Sequence, residues 1–198
     1  MNPLQTWLSL PELWLTAIVS LLALVAVGVP FLRGLALSLG ARRLTRPIAR
    51  EEIEHRLAAT AVPDEPITLA AVRVLEASCA SEGDAQPLPF LRDATKQYML
   101  NEYDTSFAQP VSMFANLLPP IGFIGTTVGL AFLLASMHYA NEALQLGALA
   151  VALSSTIAAL FGFAVLETLK VGLYRRVVRC LDEAIGYELS VRAEQARG

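Results

Sequence analysis

Three stretches of the chain carry no charged side chain. They are Leu13–Leu32, Phe114–Met137 and Ala143–Leu166, of 20, 24 and 24 residues. A bilayer's hydrocarbon core is crossed by about 20 apolar residues in a helix. A soluble helix of that length shows a polar face, and none of the three does. Lipid satisfies no backbone N–H or C=O group, so such a span folds as a helix. The predicted fold class is therefore all-α: a polytopic membrane protein with three transmembrane helices and helical cytoplasmic extensions. Composition agrees. Of the 198 residues, 55% are hydrophobic and 17% charged, against about 25% charged in an average soluble domain. The mean hydropathy is +0.50. This excludes a disordered or collagen-like chain. A net charge of −3 leaves no basic footprint for nucleic acid. Two cysteines, Cys79 and Cys180, are too few for a disulfide scaffold.

The basic residues are one-sided. No Lys or Arg precedes the first run, and the run exceeds the ~7–15-residue core of a cleaved signal, so it reads as an uncleaved anchor. Of the 15 basic residues, nine lie between the first and second runs, from Arg33 to Lys96. Six follow the third run, from Lys170 to Arg197, and none lies in the turn His138–Glu142. The positive-inside rule then places the N-terminus outside and the long loop and C-terminus in the cytoplasm. Four segments follow: 1–33, an outer stub with helix one; 34–111, a cytoplasmic helical loop domain; 112–168, a transmembrane hairpin; and 169–198, a cytoplasmic C-terminal helix. Both cysteines fall in a reducing compartment and are expected as free thiols.

The cytoplasmic parts read as helices. Arg46–Ala61 is amphipathic, with Ile48, Ile53 and Leu57 on one side, and Pro63 and Pro66 punctuate it. Ile67–Ser78 is a second helical stretch, ending in the polar loop Ser81–Pro89. Phe90–Asn101 leads into the second span. After the third, Leu169, Leu173, Val177, Leu181, Ile185 and Leu189 recur every four residues, which predicts a helix with an apolar stripe continuing the span. Two accounts of the stripe stand: packing against the loop helices, or a bundle shared between subunits.

Catalytic patterns are absent. There is no HExxH, no GxSxG and no P-loop. His55 and His138 fall on opposite sides of the membrane, and no His or Cys cluster offers a metal site. The reading is a non-enzyme with no cofactor and no metal. No carboxylate lies within the three runs, so any proton-binding acid comes from elsewhere. His138 reads as an interfacial polar residue, with an entrance proton acceptor as the alternative. Glu167 reads as a snorkelling helix end, with the inner mouth of an ion path as the alternative.

The second and third runs carry small and hydroxylated residues in register. Gly122, Gly125 and Gly129 share one helix face, and Gly125-xxx-Gly129 is a close-packing motif. Thr126 and Thr127 follow within it. The third run has a seam of Ala148, Ala152, Ser155, Ala159 and Gly162, with Ser154-Ser155-Thr156 beside it. Hydroxyls at mid-span bond backbone carbonyls one turn back. Thr126 and Thr156, with Thr127 and Ser155 beside them, also outline a lightly polar track that passes an ion only if a charged group completes it.

Pro119-xx-Gly122-xx-Gly125-Thr126-xx-Gly129 resembles the second-helix signature of the MotA/TolQ/ExbB proton-channel family. Ala152-Leu153-Ser154-Ser155-Thr156 resembles that family's third-helix pattern. The motif match covers about Pro119–Glu167, and the order of elements resembles the TolQ/ExbB branch. Val151 stands where TolQ and ExbB place a glutamate, and Gly162-Phe163 where they tend to have a proline; in lacking that glutamate the helix is closer to MotA. The resemblance implies a stator subunit in a bacterial inner membrane. It implies a homopentamer around a small partner with a single membrane helix, like TolR, ExbD or MotB, which supplies an aspartate. Thr126 and Thr156 would then line the ion path, carrying a proton by this resemblance or sodium by hydroxyl ligation. Lipid is the other partner. The alternative is a non-conducting scaffold packed through its Gly and Ala seams.

Overall fold

The computed structural model describes residues 11–58, 65–82, 87–137, 142–195 and 197. In chain order the helices are α1 (Pro11–Leu44), α2 (Arg50–Leu57), α3 (Ile67–Glu82), α4 (Leu88–Tyr103), a π-helical turn (Asp104–Ala108), α5 (Gln109–Ser136) and α6 (Glu142–Gln195). No β-strand occurs among the described residues. Three of these helices are long and apolar enough to cross a membrane by length and composition.

The helix expected over Arg46–Ala61 is shorter than its pattern. Thr45 closes α1: its N–H and its hydroxyl both donate to the Ala41 carbonyl, at 3.1 and 3.0 Å. Arg46 then precedes Pro47, which disfavours helical φ/ψ in the residue before it. Ala49 is extended, with φ −68° and ψ 148°. Its carbonyl receives the Glu52 and Ile53 N–H groups at 3.0 and 3.1 Å and so starts α2 at Arg50. Ile53 is buried, while Ile48 and Leu57 are half-buried. Pro63 and part of the expected loop Ser81–Pro89 lie outside the described residues.

The chain divides into two compact units. The first comprises residues up to Leu35 and Val111–Thr168. Its core is Val27 of α1, Ala115 and Leu118 of α5, and Ala159 and Leu166 of α6, flanked by Phe31, Ile121 and Phe163. Large apolar side chains also face outward, among them Leu21, Leu24, Phe123, Leu134, Ile157 and Phe161. Pro30 lies inside α1, and Pro119 and Pro120 lie inside α5.

The second unit comprises Ala36–Pro110 and Leu169–Gly198. Its core joins Ala41 of α1, Ile67, Ala71 and Val72 of α3, Met99 and Tyr103 of α4, and Leu173, Val177, Cys180, Leu181 and Ala184 of α6. The four-residue stripe on α6 is thus buried inside its own chain from Leu173 to Leu181, and Leu189 is 46% exposed. Ion pairs frame this core: Arg73 with Glu65 at 3.0 Å, Lys96 with Asp182 at 2.7 Å and Arg192 with Glu188 at 2.6 Å. Cys79 and Cys180 are free thiols.

Candidate functional site

Within the first unit, α5 and α6 run antiparallel with small residues opposed. A Cβ on Gly122 would stand 2.7 Å from the Ala159 Cβ. One on Gly129 would stand 2.6 Å from the Ala152 Cβ and 2.9 Å from the Ala152 backbone. One on Gly125 would meet the Ser155 side chain. Real Cβ atoms do not approach so closely, so these three glycines permit the backbone contact. The register is constant: 122 faces 159, 125 faces 155 and 129 faces 152. Gly162 meets a different surface, where its Cβ would lie 3.1 Å from Leu118 and 3.2 Å from Phe31 of α1. α6 also approaches α1 at Gly34, whose Cβ would lie 2.8 Å from Leu166.

This register sets Thr126 opposite Thr156. Their hydroxyls are hydrogen-bonded to each other across the two helices. The Gly122 carbonyl is within reach of both, at 3.0 Å from Thr126 and 3.2 Å from Thr156, and accepts from one while the other donates across the pair. The Ala152 carbonyl lies 3.3 Å from the Thr156 hydroxyl and 3.5 Å from that of Thr126. Four oxygens therefore converge, two from hydroxyls and two from carbonyls. Each hydroxyl has one proton and two lone pairs. The two protons are taken up within the cluster, and lone pairs remain. As it stands the cluster accepts a hydrogen bond or ligates a cation. To donate, a hydroxyl must turn its proton away from a carbonyl.

The other expected pathway residues lie elsewhere. Thr127 is exposed and donates to the Ile124 carbonyl of its own helix at 2.8 Å. Ser155 is 6% exposed, donates to the Ala152 carbonyl at 3.0 Å and fills the space against Gly125. Ser154 is exposed and bonded to Val151 O at 3.2 Å. The structure brings Thr126 and Thr156 together and leaves the other hydroxyls on their own helices. Sequence reasoning missed the Gly122 carbonyl as the shared acceptor. The available signal was its position four residues before Thr126, one helical turn back on the same face. It also missed Gly34, a small residue just past the first run.

Val151 is half-buried, and Glu167 is half-buried at the end of the third run. His138 lies outside the described residues. Among the described residues, no three His, Cys, Asp or Glu side chains gather as a metal site. No family model, curated protein or solved structure matches the chain.

Proposed function

We propose that this chain is the stator subunit of an ion-driven motor in a bacterial inner membrane. In this reading it is a multi-pass protein with a periplasmic N-terminus and a cytoplasmic C-terminus. Five copies surround the membrane helices of a small partner, and a partner aspartate moves past Thr126 and Thr156. The observation that carries the reading is the threonine pair itself. Two hydroxyls from two helices meet on a Gly-rich seam, and no acid of this chain lies within the same apolar runs.

The physics is consistent. A charge crossing ~150 mV releases about 3.5 kcal/mol, at ~2.3 kcal/mol per 100 mV. A bare carboxylate at the bilayer centre costs at least ~2.5–3.5 kcal/mol on insertion scales. A protonated aspartate donates to a free lone pair on the threonine cluster. An ionised one is met when a hydroxyl turns its proton from Gly122 or Ala152 to the carboxylate. The cluster thereby lowers the barrier in both states, and alternation between them lets helices shift. The non-conducting scaffold is the second reading. It is favoured by one observation: the two hydroxyls already satisfy each other and Gly122.

The test is proton uptake by vesicles holding the complex purified from native membranes through a tag on this chain. Thr156→Val should lower uptake at least ~10-fold, the order of a lost charge-assisted hydrogen bond. Thr156→Ser should retain most of it. Equal uptake by wild type and Thr156→Val would show that the pair takes no part in conduction.

A further inference from the structure

Most arginines of the second unit fall into two groups. Arg50 pairs with Glu54 and Glu194, Arg56 with Glu52, Arg73 with Glu65 and Arg192 with Glu188. Arg42, Arg43, Arg46, Arg175, Arg176 and Arg179 are all exposed, and none makes an ion pair among the described residues. These six fall on two neighbouring elements; of the unit's other arginines outside those ion pairs, Arg92 is half-buried on α4 with Nε and Nη2 unpartnered, and Arg197 lies at the end of the described residues. Arg42 and Arg43 occupy the last turn of α1, and Arg46 follows it. Arg175, Arg176 and Arg179 occupy consecutive turns of α6. The Cys180 thiol donates to the Thr45 carbonyl at 3.7 Å. This contact sets the turn carrying Arg176 and Arg179 beside the end of α1.

Each arginine group follows exposed apolar side chains on its own element. Leu39 precedes Arg42 and is 50% exposed, while Val171 and Tyr174 precede Arg175 at 49% and 51%. On α6, Tyr174 stands between Lys170 and Arg175, just past the third apolar run, and aromatic and basic side chains together mark the headgroup level. The next acids along α6 are Asp182, already bound to Lys96, and Glu183. None of the six makes an ion pair with either acid, and Glu183 lies one helical turn beyond Arg179. All six are arginine, whose planar fork grips phosphate oxygens two at a time and sheds water more readily than lysine.

We propose that this arginine cluster binds the phosphate headgroups of anionic phospholipids at the cytoplasmic leaflet. The inference rests on the membrane reading above and adds a ligand site to it. Such a site fixes the depth of α1 and α6 through lipid composition, independently of the threonine pair. Each arginine near an anionic leaflet favours it roughly fivefold, so two engaged arginines give about 30-fold.

The test uses the full chain in detergent micelles doped with equal phosphatidylglycerol and phosphatidylcholine, with retained lipid read by native mass spectrometry. Wild type should retain phosphatidylglycerol with at least about tenfold preference. The variant R42Q/R43Q/R175Q/R176Q should lose most of that preference, and R42K/R43K/R175K/R176K should keep part of it. R50Q/R56Q, which removes ion-paired arginines, should behave as wild type. Millimolar inorganic phosphate should leave retention unchanged if the ligand is a lipid, and displacement by it would overturn the lipid assignment. Absence of preference in wild type, or full preference in the glutamine variant, overturns the site. Alkaline carbonate treatment of membranes separates the two claims. Release of the chain contradicts the membrane reading, whereas loss of lipid preference from a retained chain contradicts this site alone.

Discussion

Gly125 and Gly129 face Ser155 and Ala152 with no space for a side chain. Gly125→Leu or Gly129→Val must push α5 from α6, and overpacking of this kind costs about 1–3 kcal/mol or more. Gly147, also on a helix, has nothing within 4 Å of its would-be Cβ. Gly147→Ala should therefore stabilise by about 0.5–1 kcal/mol through helix propensity. Thermal unfolding of the solubilised chain should move in opposite directions for the two kinds of variant. At Glu76, desolvation and then the charge of Glu188 push the carboxyl above its ordinary value, against a smaller opposing pull from Arg73. A raised folded pKa means that the ionised form is disfavoured in the fold. Stability is then lost as pH rises through that pKa, beginning from the usual value of 4.5. Glu76 is exposed, so the effect is small, below about 1 kcal/mol. Glu76→Gln should raise the midpoint of urea unfolding at pH 7 relative to wild type, with the gap closing at pH 4. A gap of equal size at both pH values would contradict this reading of the carboxyl.

Elements were more legible than their ends. The three apolar runs and the four-residue recurrence from Leu169 onward sufficed to predict long helices, because a helix repeats its environment every 3.6 residues. The recurrence left open whether the stripe packed within the chain, since one stripe looks alike with either partner. The structure buries Leu173, Val177 and Leu181 against α1, α3 and α4. Leu181→Ala should destabilise by about 2–5 kcal/mol. Leu189→Ala, at an exposed position, should stay within about 0.5 kcal/mol. Denaturant titration of the two variants reads this difference. The π-helical turn Asp104–Ala108 had no sequence marker, because one extra residue in a turn alters neither composition nor pattern. The start of α2 was misplaced because the apolar spacing began before the break at Pro47. Adjacent hydroxyls were equally opaque. Thr126 and Thr127 differ by about 100° around one helix, and only the partner helix decides which is useful. The glycine pattern showed that a close approach exists, but not its register, which sets Thr126 on Thr156.

At the scale of the whole molecule, the outward apolar side chains of the first unit need lipid, other subunits or both to cover them. The stator account divides that surface between lipid and neighbours and reserves the threonine pair for a central partner helix. In the second unit, Arg50, Arg56, Arg73 and Arg192 are held by carboxylates of the chain, while the six exposed arginines at the end of α1 and on α6 are the proposed anion site. Stator and scaffold differ in the arrangement of subunits. The most direct measurement is cryo-electron microscopy of the complex purified from native membranes through a tag on this chain. The account predicts five copies around one or two foreign helices, with a carboxylate of those helices facing Thr126 and Thr156. A closed ring of this chain alone, with the threonine pairs sealed between its own helices, would contradict it.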